Sequence, residues 1–199
     1  MKRWILALVL ALAGFGIAQA GVDPTNTFNL GLEAGANFSI LNGSDAAKQY
    51  LDSNGNGISP VSKLGFVGGG YLCLNFGNSF GIRPEVLYEQ KGAAISGTST
   101  TTELDYIEVP VLLKFSLGAP VLNPAILLGP AFSWNMLAQS NGSDIPNINT
   151  SDVGIIGGVE LDIDKFLVSA RYELGLQNIK TNTNVQNGVI TFLAGYSFM

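Results

Sequence analysis

From residue 27 onward the chain alternates between apolar and polar positions. Phe28, Leu30, Leu32, Ala34, Ala36, Phe38 and Ile40 share one parity, and Asn29, Gly31, Glu33, Gly35, Asn37 and Ser39 the other. Period two is the mark of a β-strand with one apolar face. Ile107, Val109, Val111, Leu113, Phe115 and Leu117 oppose Glu108, Pro110, Leu112, Lys114 and Ser116, and Ile190, Phe192, Ala194, Tyr196 and Phe198 oppose Thr191, Gly195 and Ser197. The pattern predicts eight strands, near 27–40, 63–76, 80–92, 104–117, 124–137, 152–164, 166–178 and 188–199. The connections alternate too. Segments 41–62, 93–103, 138–151 and 179–187 are long and rich in Asn, Gly, Ser and Thr, whereas 77–79, 118–123 and the turn around Lys165 are short. Alternating short turns and long loops are what an antiparallel barrel crossing a membrane requires. The fold class expected is therefore all-β, an eight-stranded antiparallel up-and-down transmembrane β-barrel.

Every Phe after the first 20 residues except Phe166 is assigned to the apolar face, and Phe28, Phe38, Phe66, Phe76, Phe80 and Phe115 fall near strand ends, where aromatic girdles form. A soluble sandwich or lipocalin-like barrel also alternates, with its apolar face inward. Composition favours the membrane. Charged residues are 13% of the chain, against about 25% in an ordinary soluble domain. The polar faces are rich in Gly and Ser, which suits a narrow lumen better than a solvated exterior.

The first 20 residues have a different character. Met1-Lys2-Arg3 is a short basic segment, Trp4 to Ile17 is nearly all apolar, and Ala18-Gln19-Ala20 is a small-x-small cleavage pattern. The expected organisation is a signal peptide over 1–20, cleaved after Ala20, and a barrel domain over 21–199, exported to the outer membrane of a bacterial cell. The apolar run is shorter than the roughly 20 residues a spanning helix needs. A net charge of −5 gives no electrostatic basis for binding nucleic acid.

The charges within the strands carry the candidate chemistry. Glu33, Arg83, Glu85, Glu89, Lys91, Glu108, Lys114, Glu160, Asp162, Arg171 and Glu173 all fall on the polar parity. An eight-stranded barrel has an interior that side chains alone can fill, so these groups must pair with one another. Lys114 is expected to compensate Glu108 or another of the acids. Asp45, Asp52, Glu103, Asp105, Asp144 and Asp152 are assigned to the outer loops, and Asp105, on the apolar parity of the fourth strand, is placed above the membrane.

Other motifs resolve into ordinary roles. Asp52-Ser53-Asn54-Gly55-Asn56-Gly57 resembles the opening of a calcium loop, but Lys63 stands where its bidentate Glu would be. No metal or cofactor is expected. Cys73, the only cysteine, is read as a small lumen filler beside Tyr71 and Asn75. Gly68-Gly69-Gly70 has no following Lys-Ser/Thr and is read as a place where the lumen narrows or a large neighbour approaches. Asn42-Gly43-Ser44 and Asn141-Gly142-Ser143 are turn residues. There is no histidine, so the usual serine-hydrolase triad is excluded.

Tyr106-Ile107-Glu108-Val109-Pro110-Val111-Leu112-Leu113-Lys114-Phe115 resembles the signature segment of the porin-family, PorT-like outer-membrane β-barrels. Arg83-Pro84-Glu85-Val86-Leu87-Tyr88, then Gln90-Lys91-Gly92, is similar to that family's preceding strand, and Gly129-Pro130 also fits. The resemblance implies an eight-stranded outer-membrane barrel of a Bacteroidota-type bacterium. It implies partners in outer-membrane lipid and, during biogenesis, in periplasmic chaperones and the barrel-assembly machinery. Phe198 stands one place before the position of the family's terminal aromatic. The resemblance transfers no catalytic residues.

The function expected first is a non-enzymatic barrel without an open pore, acting structurally or through its outer loops, whose partner the residues do not name. The alternative is a narrow porin-like channel for small solutes. The third is a soluble lipocalin-like ligand-binding barrel in the periplasm. An outer-membrane enzyme lacks the activated nucleophile it would need.

Overall fold

The computed structural model describes residues 28–42, 60–77, 79–95, 101–117, 122–140, 143–144, 149–178 and 185–198. The segment 1–20, expected to be a signal peptide, the calcium-like segment 52–57 and most of each long connection lie outside the described residues, as do parts of both Asn-Gly-Ser triplets. Eight long strands form the wall: β1 (Phe28–Asn42), β2 (Pro60–Phe76), β3 (Phe80–Ile95), β4 (Thr101–Ser116), β5 (Leu122–Ser140), β7 (Ser151–Ile163), β8 (Phe166–Gly175) and β9 (Gln186–Ser197). The two-residue β6 (Ser143–Asp144) folds back on the end of β5. Every pairing is antiparallel, and β1 pairs with β9 and β4 with β5, which closes the sheet into a ring.

Apart from β8, which has 10 residues, the eight long strands exceed the roughly 9–11 tilted residues that cross a bilayer. β5 has 19 residues, and it pairs with β4 from Ser116↔Ala125 up to Thr102↔Ser140. Segments 93–103 and 138–151 were therefore expected to be loop over too great a length. Their Thr, Ser and Gln residues lack the apolar alternation because no lipid faces them, yet backbone pairing continues past the membrane band. Two irregularities mark the upper wall: the β2–β3 register shifts between Ser62 and Val67, and the β4–β5 register between Asp105 and Tyr106. At the first, Gly92 has φ 137°, in the left-handed half of backbone space that Gly tolerates best.

The two faces separate as the parity demands. Leu32, Leu64, Phe66, Ile126, Leu128, Val159 and Phe192 point outward, exposed, while Arg83, Glu85, Glu108 and Lys91 are buried within. This arrangement is the reverse of a lipocalin-like soluble barrel. Close to the short turns, Phe76, Phe80 and Phe115 stack in series at centroid distances of 5.8 and 5.4 Å. Phe166, Tyr196 and Phe198 form a second series at 5.2 and 5.7 Å. Phe166 thus belongs to the outer face, where it is 61% exposed, and its exclusion from that face is corrected. It pairs with Ile163 across the turn Asp164–Lys165 and shares the parity of Val168.

Candidate functional site

The lumen is built in layers along the barrel axis. Nearest the short turns, Tyr71, Cys73 and Leu167 form a buried cluster. Cys73 Sγ lies 3.2 Å from Asn75 Oδ1, in keeping with a filler role. The wall narrows at Gly69, where a Cβ would strike the carbonyl oxygen of Val86. On the outside, a Cβ at Gly68 would stand 2.9 Å from the Phe66 ring.

Above this floor lies the first charged layer. Arg83 on β3 is fully buried, with Nη1 at 2.5 Å from Glu160 Oε2, Nε at 2.8 Å from Glu85 Oε1 and Nη2 bonded to Glu33. Its guanidinium also stacks 3.8 Å from the centroid of Tyr71. Arg171 on β8 donates to Glu85 at 2.6 Å and to Glu33 at 3.2 Å. Lys114 on β4 donates to Glu160 at 2.8 Å and Asp162 at 2.6 Å. Asp162, with 23% of its side chain exposed, is the most open member.

The second charged layer surrounds Lys91. Its ammonium lies 2.6 Å from Glu108, 2.5 Å from Glu173 and 3.1 Å from Glu89. Ser133 donates to Glu108 at 2.8 Å, and Asn37 to Glu89 at 2.9 Å. Leucine, valine and isoleucine side chains, including Val67, Leu87, Leu127 and Ile156, fill the space around the charges. In the strand registers Leu104 lies beside Lys91, Tyr106 beside Glu89 and Val189 beside Glu173, and all three are buried.

All eleven charges expected in the lumen lie there, divided between two layers. Of the two partners expected for Lys114, Glu108 or another of the acids, the structure gives the second: Lys114 compensates Glu160 and Asp162. Glu108 belongs to Lys91, because the β3–β4 register sets Lys91 beside Leu104 and Lys114 beside Gly81, at opposite ends of the barrel. Asp152 also departs from expectation. It is buried inside the barrel and accepts a bond from Asn187 at 3.1 Å. β7 begins one residue earlier than its apolar alternation indicates, and Asp152 has the lumen parity of Glu160 and Asp162. Asn37, Ser39, Ser133, Asn187 and Thr191 share this interior, and their only signal in the sequence is parity. Glu103 is exposed and pairs with Lys63 at 3.5 Å. Asp105 accepts from Tyr88 at 2.7 Å on the outer face, at the bulged end of β4. Asp45 and Asp52, and the side chain of Asp144, lie outside what is described.

This geometry holds the buried charges of the lumen in fixed pairs. The profile of the family described as "Outer membrane protein beta-barrel domain" matches residues 17–181. No curated protein matches the chain. Among solved structures, it is similar to Neisserial surface protein A at TM-score 0.56 and 17% identity, over 85% of this chain and 97% of that one. It is also similar to Ail of Yersinia pestis in complex with the heparin analogue sucrose octasulfate, at TM-score 0.48 and 17% identity, over 87% and 100% of the two chains. A third similarity is to OprG from Pseudomonas aeruginosa, at 0.48 and 12%, over 85% and 95%.

Proposed function

The chain belongs to the outer membrane protein β-barrel domain family, and from that premise we propose that it is a closed, non-enzymatic barrel of the bacterial outer membrane. Its rigid wall carries the long outer connections as an interaction surface, and no solute passes through it. One observation carries this reading: ion pairs from β3 to β7 and β8, all of them buried, bolt opposite walls of the lumen together. A water-filled path would have to separate these pairs, which is expensive in a space of low polarity. Loops on a rigid scaffold are where recognition usually resides.

Placement in the PorT-like, Bacteroidota-type branch is part of the same reading and is supported by the segment Tyr106–Phe115. Cleavage after Ala20, delivery by periplasmic chaperones and insertion by the barrel-assembly machinery complete it. The deciding experiment is reconstitution of the purified barrel in planar bilayers. A closed barrel gives no steady conductance in salt solution, and reproducible unitary openings would replace this reading with the narrow channel.

A further inference from the structure

The two charged layers are not equally balanced. Toward the turns, Arg83, Arg171 and Lys114 face Glu33, Glu85, Glu160 and the partly exposed Asp162. Toward the loops, Lys91 alone faces Glu89, Glu108 and Glu173, all buried. Each of these three carboxylates places an oxygen within 4.8 Å of the others. Lys91 does not satisfy them all: Glu173 Oε1 is buried without a hydrogen-bond partner. A void of about 10 Å³ adjoins, lined by Glu89, Glu108 and Glu173 together with Thr191, Arg171 and three apolar side chains. That is about the room a single water-sized ligand occupies. The terminal nitrogens of Arg171 are already bonded to Glu85 and Glu33.

We propose that the loop-side layer is an occluded site for one small divalent cation, held by the carboxylates of Glu89, Glu108 and Glu173 beside the Lys91 ammonium. With all three carboxylates ionised, one ammonium would leave two buried negative charges uncompensated, and an unpaired buried charge is among the costliest features a fold can carry. One divalent ion balances them. The donors are hard oxygens, so the ion is of the calcium, magnesium or manganese class and not a thiolate- or imidazole-seeking metal. Because Glu89, Lys91, Glu108 and Glu173 are all buried, the ion enters as the barrel closes and exchanges slowly afterwards. The site rests on the closed lumen proposed above and is independent of what the outer loops meet.

The test uses the full barrel lacking residues 1–20, refolded from urea into detergent with CaCl2, MgCl2, MnCl2 or EDTA at equal ionic strength. Excess metal is removed by desalting, and retained metal is measured by mass spectrometry beside heat-modifiable gel mobility. Stoichiometric metal is expected in the wild type with at least one of the three salts, together with lower heat resistance after refolding in EDTA. Glu173→Gln keeps the shape of the side chain, removes one charge and is expected to lose the metal. Background metal in the wild type, with equal heat resistance in EDTA and in all three salts, would overturn the site and leave protons to balance the charge. Retention of metal by Glu173→Gln would overturn the assignment of the ligands. Should that variant not fold, Glu89→Gln tests the ligands in the same way, and the wild-type measurements decide the site without either variant.

Discussion

At the scale of single residues, burial and the number of partners separate the lumen charges by importance. Arg83 serves three carboxylates from a fully buried position. Arg83→Met leaves Glu33 and Glu160 short of their principal cation, and removing one partner of a buried pair costs about 3–5 kcal/mol. Its midpoint in urea, followed by tryptophan fluorescence in detergent, is expected to fall strongly. Lys114→Ala is expected to do less, about 1–3 kcal/mol on the scale of a lost charged hydrogen bond. Glu160 keeps Arg83, and Asp162 has access to solvent. Equal losses in the two variants would contradict this ranking. The ranking was not legible in the sequence, where both residues appear only as cations on the polar parity.

At the scale of the strand, the wall has two independent requirements. The inner surface must leave room, as at Gly69, where a Cβ meets the backbone of β3. Gly69→Ala is expected to destabilise the barrel by about 1–3 kcal/mol through overpacking, whereas the same change at Gly157, where a Cβ meets nothing within 4 Å, is expected to be nearly silent. Unfolding curves of the two variants in one detergent make the comparison. The outer surface must remain apolar across the band. Leu128, midway along β5, is 50% exposed to the lipid side. Leu128→Arg is expected to cost about 2–4 kcal/mol in lipid vesicles, falling to about 0–1 for an arginine near the membrane boundary such as Leu117→Arg. A neutral Leu128→Arg would mean that this face does not meet hydrocarbon.

At the scale of the whole molecule, ring closure and the cross-lumen pairs reinforce each other. Antiparallel neighbours form one hairpin at a time, but the β1–β9 seam joins the two ends of the sheet, and only then can β3 reach β7 and β8 across the interior. Their cost of desolvation is met in one cooperative step. The apolar exterior dictates behaviour in solution: freed of detergent, the protein is expected to aggregate, and to run as a monodisperse species once detergent is restored, which size-exclusion chromatography reads directly. A stable monomer in plain buffer would be incompatible with the exposed rows of Leu, Ile and Phe.

Strand number, hairpin order and the face of most side chains, Phe166 and Asp152 excepted, were determined by the sequence alone, because period two is a local property and survives errors of a few residues at strand ends. The eleven charges assigned to the lumen on that basis lie there, and Asp152, assigned to an outer loop, is a twelfth. What the tertiary structure decided is everything that depends on register around a closed ring. It selected Lys91 instead of Lys114 as the partner of Glu108, drew Asp152 inside, carried β3, β4 and β5 beyond the apolar band, and joined Glu33 to Arg171 from 138 positions away. Parity assigns a residue to the lumen, but only the tilt and stagger of the closed barrel set its height there, and in so narrow an interior height determines the partner.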